Sequence, residues 1–167
     1  MKDVFLTFAQ YNKTANAAVL SILNTLSNDE REKERGSYFH SLSGLVRHTI
    51  VGATFFVGLF KAALPGNAAA VKAFEPLAGI AVPKDAITEA QWKDVAKSCD
   101  LIDTALVHFV EALSEADFRA EVTAPWGKSP IALALQKLVL HGAHHRGQLS
   151  QILDELKIDN DFGNIQS

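Results

Sequence analysis

The sequence "LALQKLVLHGAHHRGQLSQIL", residues 133–153, places three histidines inside an otherwise apolar helical pattern. At 100° per residue, one face of this helix carries both apolar residues and histidines: Ala134, Leu138, His141, His145, Leu149 and Ile152. His141 and His145 are therefore expected to face the core, one turn apart. Two imidazoles at this spacing can converge on one metal ion. Two buried, hydrogen-bonded histidines explain the pair equally well.

Three more stretches show the three- and four-residue spacing of apolar residues that is typical of helices. The first covers residues 2–26. The second covers residues 38–64 and ends before Pro65 and Gly66, a pair that breaks regular structure. The third begins at a capping box formed by Thr88 and Gln91 and continues to Leu113.

The histidine helix is predicted over residues 130–156, with Ser129 as its N-cap and Pro130 at its first position. Residues 121–130 are interpreted as a connection between helices. Residues 28–36 carry charges of both signs and are interpreted as a solvated connection. No convincing strand pattern competes with the helices. The sequence therefore predicts an all-α fold, a four-helix bundle formed as a single domain by residues 1–167.

The composition excludes several classes of protein. In 167 residues, 48% are hydrophobic and 21% charged, the net charge is −3 and the sequence pI is near 6.0, so nothing predicts a nucleic-acid partner. We expect no signal peptide, because the N-terminal apolar stretch is short and broken by Gln10, Asn12 and Lys13. We expect no membrane span, because no run of about 18 residues is free of polar interruption. One cysteine, Cys99, forms no internal disulfide and fits a reducing compartment. We therefore expect a cytoplasmic protein.

A third inward histidine is predicted on the second helix. His48 shares a face with Leu45, Gly52, Phe55 and Leu59. Three buried imidazoles are costly unless something occupies their lone pairs, and a divalent cation would do so. Three histidines leave a coordination position open, as in catalytic zinc sites, and imidazole also suits nickel, copper or iron. No glutamate accompanies the pair as in HExxH helices, so peptidase activity is not expected.

Four polar residues near these faces are candidates for the second shell or the pocket. Asp103 is either an acceptor for a ligand's N–H, a fourth ligand, or a partly exposed carboxylate. Asn12 is expected to satisfy backbone groups in a neighbouring loop rather than to touch substrate. Gln148 either lines the site or ties the helix to a loop. Lys137 is expected to extend to solvent.

The remaining polar residues on these helices are expected to be structural. Cys99 lies on an apolar face and is expected to be an inert core residue. Arg146 is expected to pair with a carboxylate across a helix interface, and Gly147 to allow close approach of two helices. The other histidines are expected at the surface: His40, His108 and His144.

The block "HGAHHRGQ" resembles the signature of the DinB/YfiT-like metalloenzymes, a damage-inducible bacterial family. The segments "YNKTANAAVLSIL", "SYFHSLSGLVRHTIVGATFF" and, more loosely, "SCDLIDTALVHFVEAL" resemble the family's first three helices. The resemblance implies a homodimeric four-helix bundle with a nickel or zinc site, in which His48, His141 and His145 fall on the family's ligands. Lys137 and Leu140 depart from the family pattern, which often has His and Asn there.

Some relatives in that family are S-transferases or isomerases that use a low-molecular-weight thiol. The resemblance therefore implies a divalent-metal-dependent enzyme in which a metal-activated thiol reacts with a small-molecule substrate. The alternative is a non-catalytic metal- or small-ligand-binding stress protein whose site senses or sequesters. A third interpretation is a purely structural histidine cluster.

Overall fold

The computed structural model describes residues 1–162, and most of these residues are helical. Within this range the helices are α1 (Lys2–Leu23), α2 (Asn28–Glu32), α3 (Leu42–Ala63), α4 (Ala68–Lys72), α5 (Glu89–Ala112) and α6 (Ile131–Glu155). Single 3₁₀ turns lie at Glu75–Leu77 and Asp117–Arg119, and two strands are β1 (Glu121–Ala124) and β2 (Gly127–Pro130). The prediction of a mostly helical fold is confirmed. The predicted domain of residues 1–167 extends into residues 163–167, which lie outside the described residues.

Four long helices surround the hydrophobic core. Helix α1 packs against α5 and α6, while α3 packs against α6 and α5. Each of the four contributes buried apolar side chains to one continuous cluster, with Leu23, Phe60, Phe109 and Leu153 among the most buried. Burial of this kind is the main favourable term in folding. It also fixes how α3 and α6, the two helices that carry the inward histidines, face each other.

The helix ends follow the local capping chemistry. Thr88 and Gln91 form the predicted capping box at the start of α5. At the start of α3, the Ser41 hydroxyl accepts a hydrogen bond from the Gly44 N–H at 3.0 Å. This cap places the start of α3 four residues later than predicted, because residues 37–40 form a turn in which His40 has a φ of +66°. The predicted stop before Pro65 is confirmed, since α3 ends at Ala63.

A short hairpin precedes α6, so the prediction of a strandless connection over residues 121–130 is wrong. Strand β1 pairs antiparallel with β2, with Glu121 opposite Pro130 and Ala124 opposite Gly127. Val122 faces the core. Ser129 lies in β2 and is not the N-cap of α6. Pro130 is the N-cap instead, and Ile131 is the first helical residue. Strands of four residues are too short for an alternating pattern to identify them.

Residues 28–36 are also more ordered than a solvated connection. Helix α2 occupies part of this range, and its Arg31 is fully buried. The guanidinium donates to the carbonyl oxygens of Leu23 and Leu26, pairs with Glu89, and lies 4.6 Å from the centroid of the Trp92 ring. Charge runs usually mark solvated surface, but an arginine with this many acceptors can be buried.

Within residues 1–162, one helix, α3, is long and apolar enough by length and composition to cross a membrane, judged over a window of 18 residues. Half of that window is buried inside the fold. Core helices pass the same test, so α3 is weak evidence for a membrane span.

Candidate metal centre

The three inward histidines meet at one point between α3 and α6. The Nε2 atom of His141 lies 2.9 Å from Nε2 of His48 and 3.0 Å from Nε2 of His145. The potential ligand atoms of the three residues all lie within 4.8 Å of one another. A tetrahedral zinc ion bound to imidazoles at about 2.0–2.1 Å requires nitrogen atoms about 3.3 Å apart. The donor set and its spacing therefore fit a divalent cation.

The imidazoles are also in the protonation state that a metal requires. Burial lowers the pKa of His48 and of His145, and burial together with the neighbouring imidazoles lowers the pKa of His141 to about 4. All three rings are therefore neutral at pH 7 and carry a free lone pair. Neutral imidazole is the form that binds metal ions.

Gln148 orients one of the three rings. Its Oε1 lies 2.6 Å from Nδ1 of His145. An amide oxygen can only accept, so this contact holds the proton on Nδ1 and leaves the Nε2 lone pair directed at the other two imidazoles. Outer contacts of this kind fix the tautomer of metal-binding histidines. Gln148 was considered either to line the site or to tie the helix to a loop, and in the structure its side chain contacts a histidine of the site.

Phe39 covers two of the rings and was not predicted from the sequence. Its ring stacks on His48 with centroids 4.0 Å apart and meets His145 edge-on at 5.2 Å. Its carbonyl oxygen occupies the space where a side chain at position 44 would lie, because an added Cβ on Gly44 would be 1.9 Å away. Position 44 has to be glycine because the Phe39 carbonyl lies there, and this contact can be seen only once the turn before α3 is known.

Two other glycines make room at the centre. A Cβ at Gly52 would lie 2.9 Å from Cε1 of His141, and a Cβ at Gly142 would lie 2.8 Å from Oδ1 of Asn12. Gly147 was predicted to allow close helix approach, and this prediction is wrong because a Cβ there meets nothing within 4 Å. The close approaches instead fall at Gly52 and Gly142.

Asp103 belongs to a buried polar network beside the histidines. It is 5% exposed and accepts hydrogen bonds from Asn12 at 3.0 Å and from Asn16 at 2.9 Å. Arg146, 4% exposed, donates to the amide oxygens of the same two asparagines at 2.7 and 2.8 Å. Asn12 thus bonds across helices rather than to a loop, which corrects the prediction. Arg146 was expected to pair with a carboxylate across a helix interface. Its hydrogen bonds go to Asn12 and Asn16, which in turn donate to the Asp103 carboxylate.

Asp103 was considered as an acceptor for a ligand's N–H or as a fourth ligand. Its hydrogen bonds go to asparagines and not to an imidazole, so neither role is seen. Asp103 and Asn12 nevertheless line a cavity of about 40 Å³ that His141 also borders. Burial raises the pKa of Asp103 to about 7, and hydrogen bonds from Asn16 and the charge of Arg146 oppose that rise. The carboxyl group therefore lies near the centre without reaching it.

The remaining candidates lie away from the three nitrogens. Lys137 is exposed, as predicted, and its Nζ lies 4.8 Å from the centroid of the Trp126 ring. Burial raises the pKa of the Cys99 thiol, which keeps it protonated at neutral pH and agrees with an inert core residue. The three other histidines are exposed, as predicted: His40, His108 and His144.

Comparison with known proteins places the chain in one family. The sequence model of the DinB family matches residues 1–156, which is nearly the whole chain. No curated protein and no solved structure gives a match. The match includes both segments that carry the histidine cluster, and the chain belongs to the DinB family.

Proposed function

We propose that this protein binds a divalent cation, zinc or nickel, through His48, His141 and His145. The observation that carries the proposal is the convergence of three neutral Nε2 atoms from α3 and α6, with nitrogen–nitrogen distances of 2.9 and 3.0 Å on His141. Membership of the DinB family supports it. We also propose that the four long helices form the bundle expected from the family resemblance.

We infer that the centre serves a thiol S-transfer reaction. A divalent cation with an open coordination position lowers the pKa of a bound thiol and supplies a nucleophile at neutral pH. The chain's own contribution is to hold the imidazoles: Gln148 keeps the proton of His145 on Nδ1, and Phe39 fixes the plane of His48. Among the described residues, the cluster contains no carboxylate, so a built-in general base for hydrolysis is lacking.

The second candidate is a protein that binds metal without catalysis, and one observation favours it. Phe39 lies over His48 and against His145, so it covers part of the centre from one side. A covered centre suits sequestration or sensing better than turnover. The two candidates differ in whether a thiol reaches the metal and reacts.

The test uses protein loaded with zinc or nickel, cysteine or glutathione as the thiol, and chlorodinitrobenzene as the acceptor. In this reaction a C–S bond forms, the C–Cl bond breaks, chloride leaves and the thiol proton passes to solvent. We expect acceleration that chelation or His141→Ala removes and that His144→Ala, a change at an exposed neighbouring histidine, retains. Stoichiometric metal without acceleration by either thiol would favour sequestration.

Two further expectations from the family resemblance are also proposals. We propose that the protein is a homodimer and that it acts in the cytoplasm on a small-molecule substrate. Light scattering after gel filtration tests the first part: a mass of about one chain, 18.1 kDa, would contradict it.

A further inference from the structure

Exposed apolar side chains concentrate on one side of the metal centre. Trp126 of the β1–β2 turn is 52% exposed and Phe55 of α3 is 41% exposed, and their ring centroids lie 5.7 Å apart. Val51 and Leu140 are also exposed large hydrophobic residues and neighbour Gly52 and His141 in sequence. Scattered exposed residues need no explanation, but a contiguous group beside a candidate site does.

Helix geometry places Val51 and Phe55 of α3 and Lys137 of α6 near the direction of the histidines, on the exposed side of the α3–α6 seam. On α3, Phe55 lies roughly 20° and Val51 roughly 60° around the axis from His48. Phe55 was expected on the inward face with His48, but the structure shows His48 half-buried and both Phe55 and Val51 exposed. On α6, Lys137 lies roughly 40° from His141, also on the exposed side. The His141 ring lies against Gly52, the residue that follows Val51 on α3.

Aromatic residues bound the seam at both ends. Phe39 packs on His48 and His145 at one end. Trp126 closes the other end, where it contacts Phe55 and Phe56 of α3, and Lys137 of α6 places its ammonium over the indole. Phe55 is seven residues from His48, so the aromatic end lies about 10 Å from the metal centre.

We propose that this strip, defined by Val51, Phe55, Trp126 and Lys137, binds the apolar tail of a small substrate whose head reaches the metal. The substrate class is a molecule with a soft or anionic metal-binding group and an aryl or alkyl tail about 10 Å long. This inference rests on the proposed metal site. The strip begins at the histidines and ends at an aromatic wall, which fits a ligand anchored at one end.

A second protein chain fits the strip less well than a small molecule. A stable protein interface takes roughly 20–30 residues from each partner. The strip offers four side chains, and at one end of it Trp126 packs against Phe55. A tail of one phenyl ring and three methylene groups would cover it.

The test compares two thiols on cobalt- or zinc-loaded protein: ethanethiol, which has the head alone, and 3-phenylpropane-1-thiol, which adds a tail of the required length. Binding is followed by the thiolate-to-cobalt absorption and by quenching of Trp126 fluorescence. Trp92 is buried, so a change lost in Trp126→Ala is assigned to Trp126. We expect the phenylpropyl thiol to bind at least about 10-fold more tightly than ethanethiol.

Trp126→Ala and Phe55→Ala should each reduce that preference to about twofold or less while leaving ethanethiol binding unchanged. The matched control is Val4→Ala, which removes an exposed apolar side chain from α1 and should keep the full preference. Equal binding of both thiols to the wild type would overturn the inference and leave the metal proposal intact. Binding of neither thiol to the metal-loaded protein would also overturn the inference, and it would count against the proposed thiol reaction while leaving metal binding intact.

Oligomeric state supplies the remaining test. If Trp126→Ala or Phe55→Ala converts a dimer to a monomer, a second copy of the chain occupies the strip, and the inference is overturned. We expect the mass in solution to be the same for the wild type and both variants.

Discussion

The position of the His141 ring depends on the absence of a side chain at position 52. A Cβ there would lie 2.9 Å from Cε1 of His141, a distance that real Cβ contacts do not reach. The ring would have to rotate or move, and its Nε2 would leave the common point with His48 and His145. Gly52 is therefore a requirement of the centre and not of the helix.

Gly52→Ala should weaken zinc affinity by on the order of 10-fold, the usual cost of disturbing groups that orient metal ligands. Gly58→Ala is the matched control, because it lies on the same helix and its added Cβ meets nothing within 4 Å. That control should keep full affinity and stabilise the protein by about 0.5–1 kcal/mol, since alanine favours helix over glycine. Chelator competition measures both affinities. Equal affinities in the two variants would contradict the assigned role of Gly52.

Asp103 should give the protein a distinct pH dependence. Burial raises its pKa from 3.8 to about 7, while in the unfolded chain the carboxyl group loses its proton near pH 4. Between about pH 4 and pH 7 the folded state therefore holds more protons than the unfolded state. The free energy of unfolding that depends on Asp103 then falls as pH rises, by up to about 1.4 kcal/mol per pH unit.

The three histidines act in the opposite direction, because burial lowers their pKa values and the unfolded chain binds more protons than the folded one. Asp103→Asn separates the two effects. We expect the free energy of unfolding of the wild type minus that of the variant to decrease steadily from pH 4.5 to pH 7.5. Urea unfolding of chelator-treated protein measures it. A difference that is constant over this range would show that burial does not control the carboxyl group.

The sequence predicted which three histidines form the cluster, but not the residues that position them. Helical periodicity predicted that His48, His141 and His145 each lie on an inward face, the family resemblance grouped them as ligands, and the structure places the three side chains close together. Phe39 was missed because it lies in a turn, where no periodicity applies. The need for Gly52 and Gly142 was missed because a close approach is set by the partner helix, which a single sequence does not reveal.

Between helices, a buried polar network joins α1, α5 and α6. Asn12 and Asn16 of α1 stand between Asp103 of α5 and Arg146 of α6, and they hydrogen-bond to both. Within residues 1–162, Nε and Nη2 of Arg146 have no hydrogen-bond partner, so the network is incomplete. Buried charge pairs with incomplete partners stabilise little, but removing one member is costly.

Arg146→Leu should destabilise the protein by about 3 kcal/mol at pH 8, because the buried Asp103 must then stay ionised without a compensating charge or take up a proton, and both cost free energy. The double variant Arg146→Leu, Asp103→Leu should recover most of that loss, since neither charge remains. Arg119→Leu, at an exposed arginine, is the control and should change stability by about 0.5 kcal/mol or less. Urea unfolding reports all three. Additive losses in the double variant would contradict the coupling.

The long helices were predictable because each is amphipathic over at least five turns, and the capping box of Thr88 and Gln91 marked the start of one. The short elements were not. The hairpin of β1 and β2 has four residues per strand, and Val122 is buried where β1 packs against α3 and α6. Helix α2 was not predicted because its charged sequence is typical of a solvated connection. Its Arg31 is buried through contacts with Leu23, Leu26 and Glu89, which lie outside α2.

For the molecule as a whole, a bound cation would connect α3 with α6 through three ligands. An ion that binds only the folded state stabilises it according to its concentration relative to its Kd, by about 4 kcal/mol at a thousandfold excess. We expect zinc to raise the free energy of unfolding by this order in the wild type and by much less in His48→Ala. Urea unfolding with zinc and with chelator measures the difference. The same gain in both proteins would contradict a role for His48.

The most direct measurement is the metal content of purified protein by elemental analysis, for the wild type and for His48→Ala, His141→Ala, His145→Ala and His144→Ala. The proposed site predicts about one zinc or nickel ion per chain in the wild type and in His144→Ala, and a sharp loss in each of the other three. Absence of metal in the wild type, with none taken up on addition of zinc or nickel, would show that the histidines only pack and hydrogen-bond.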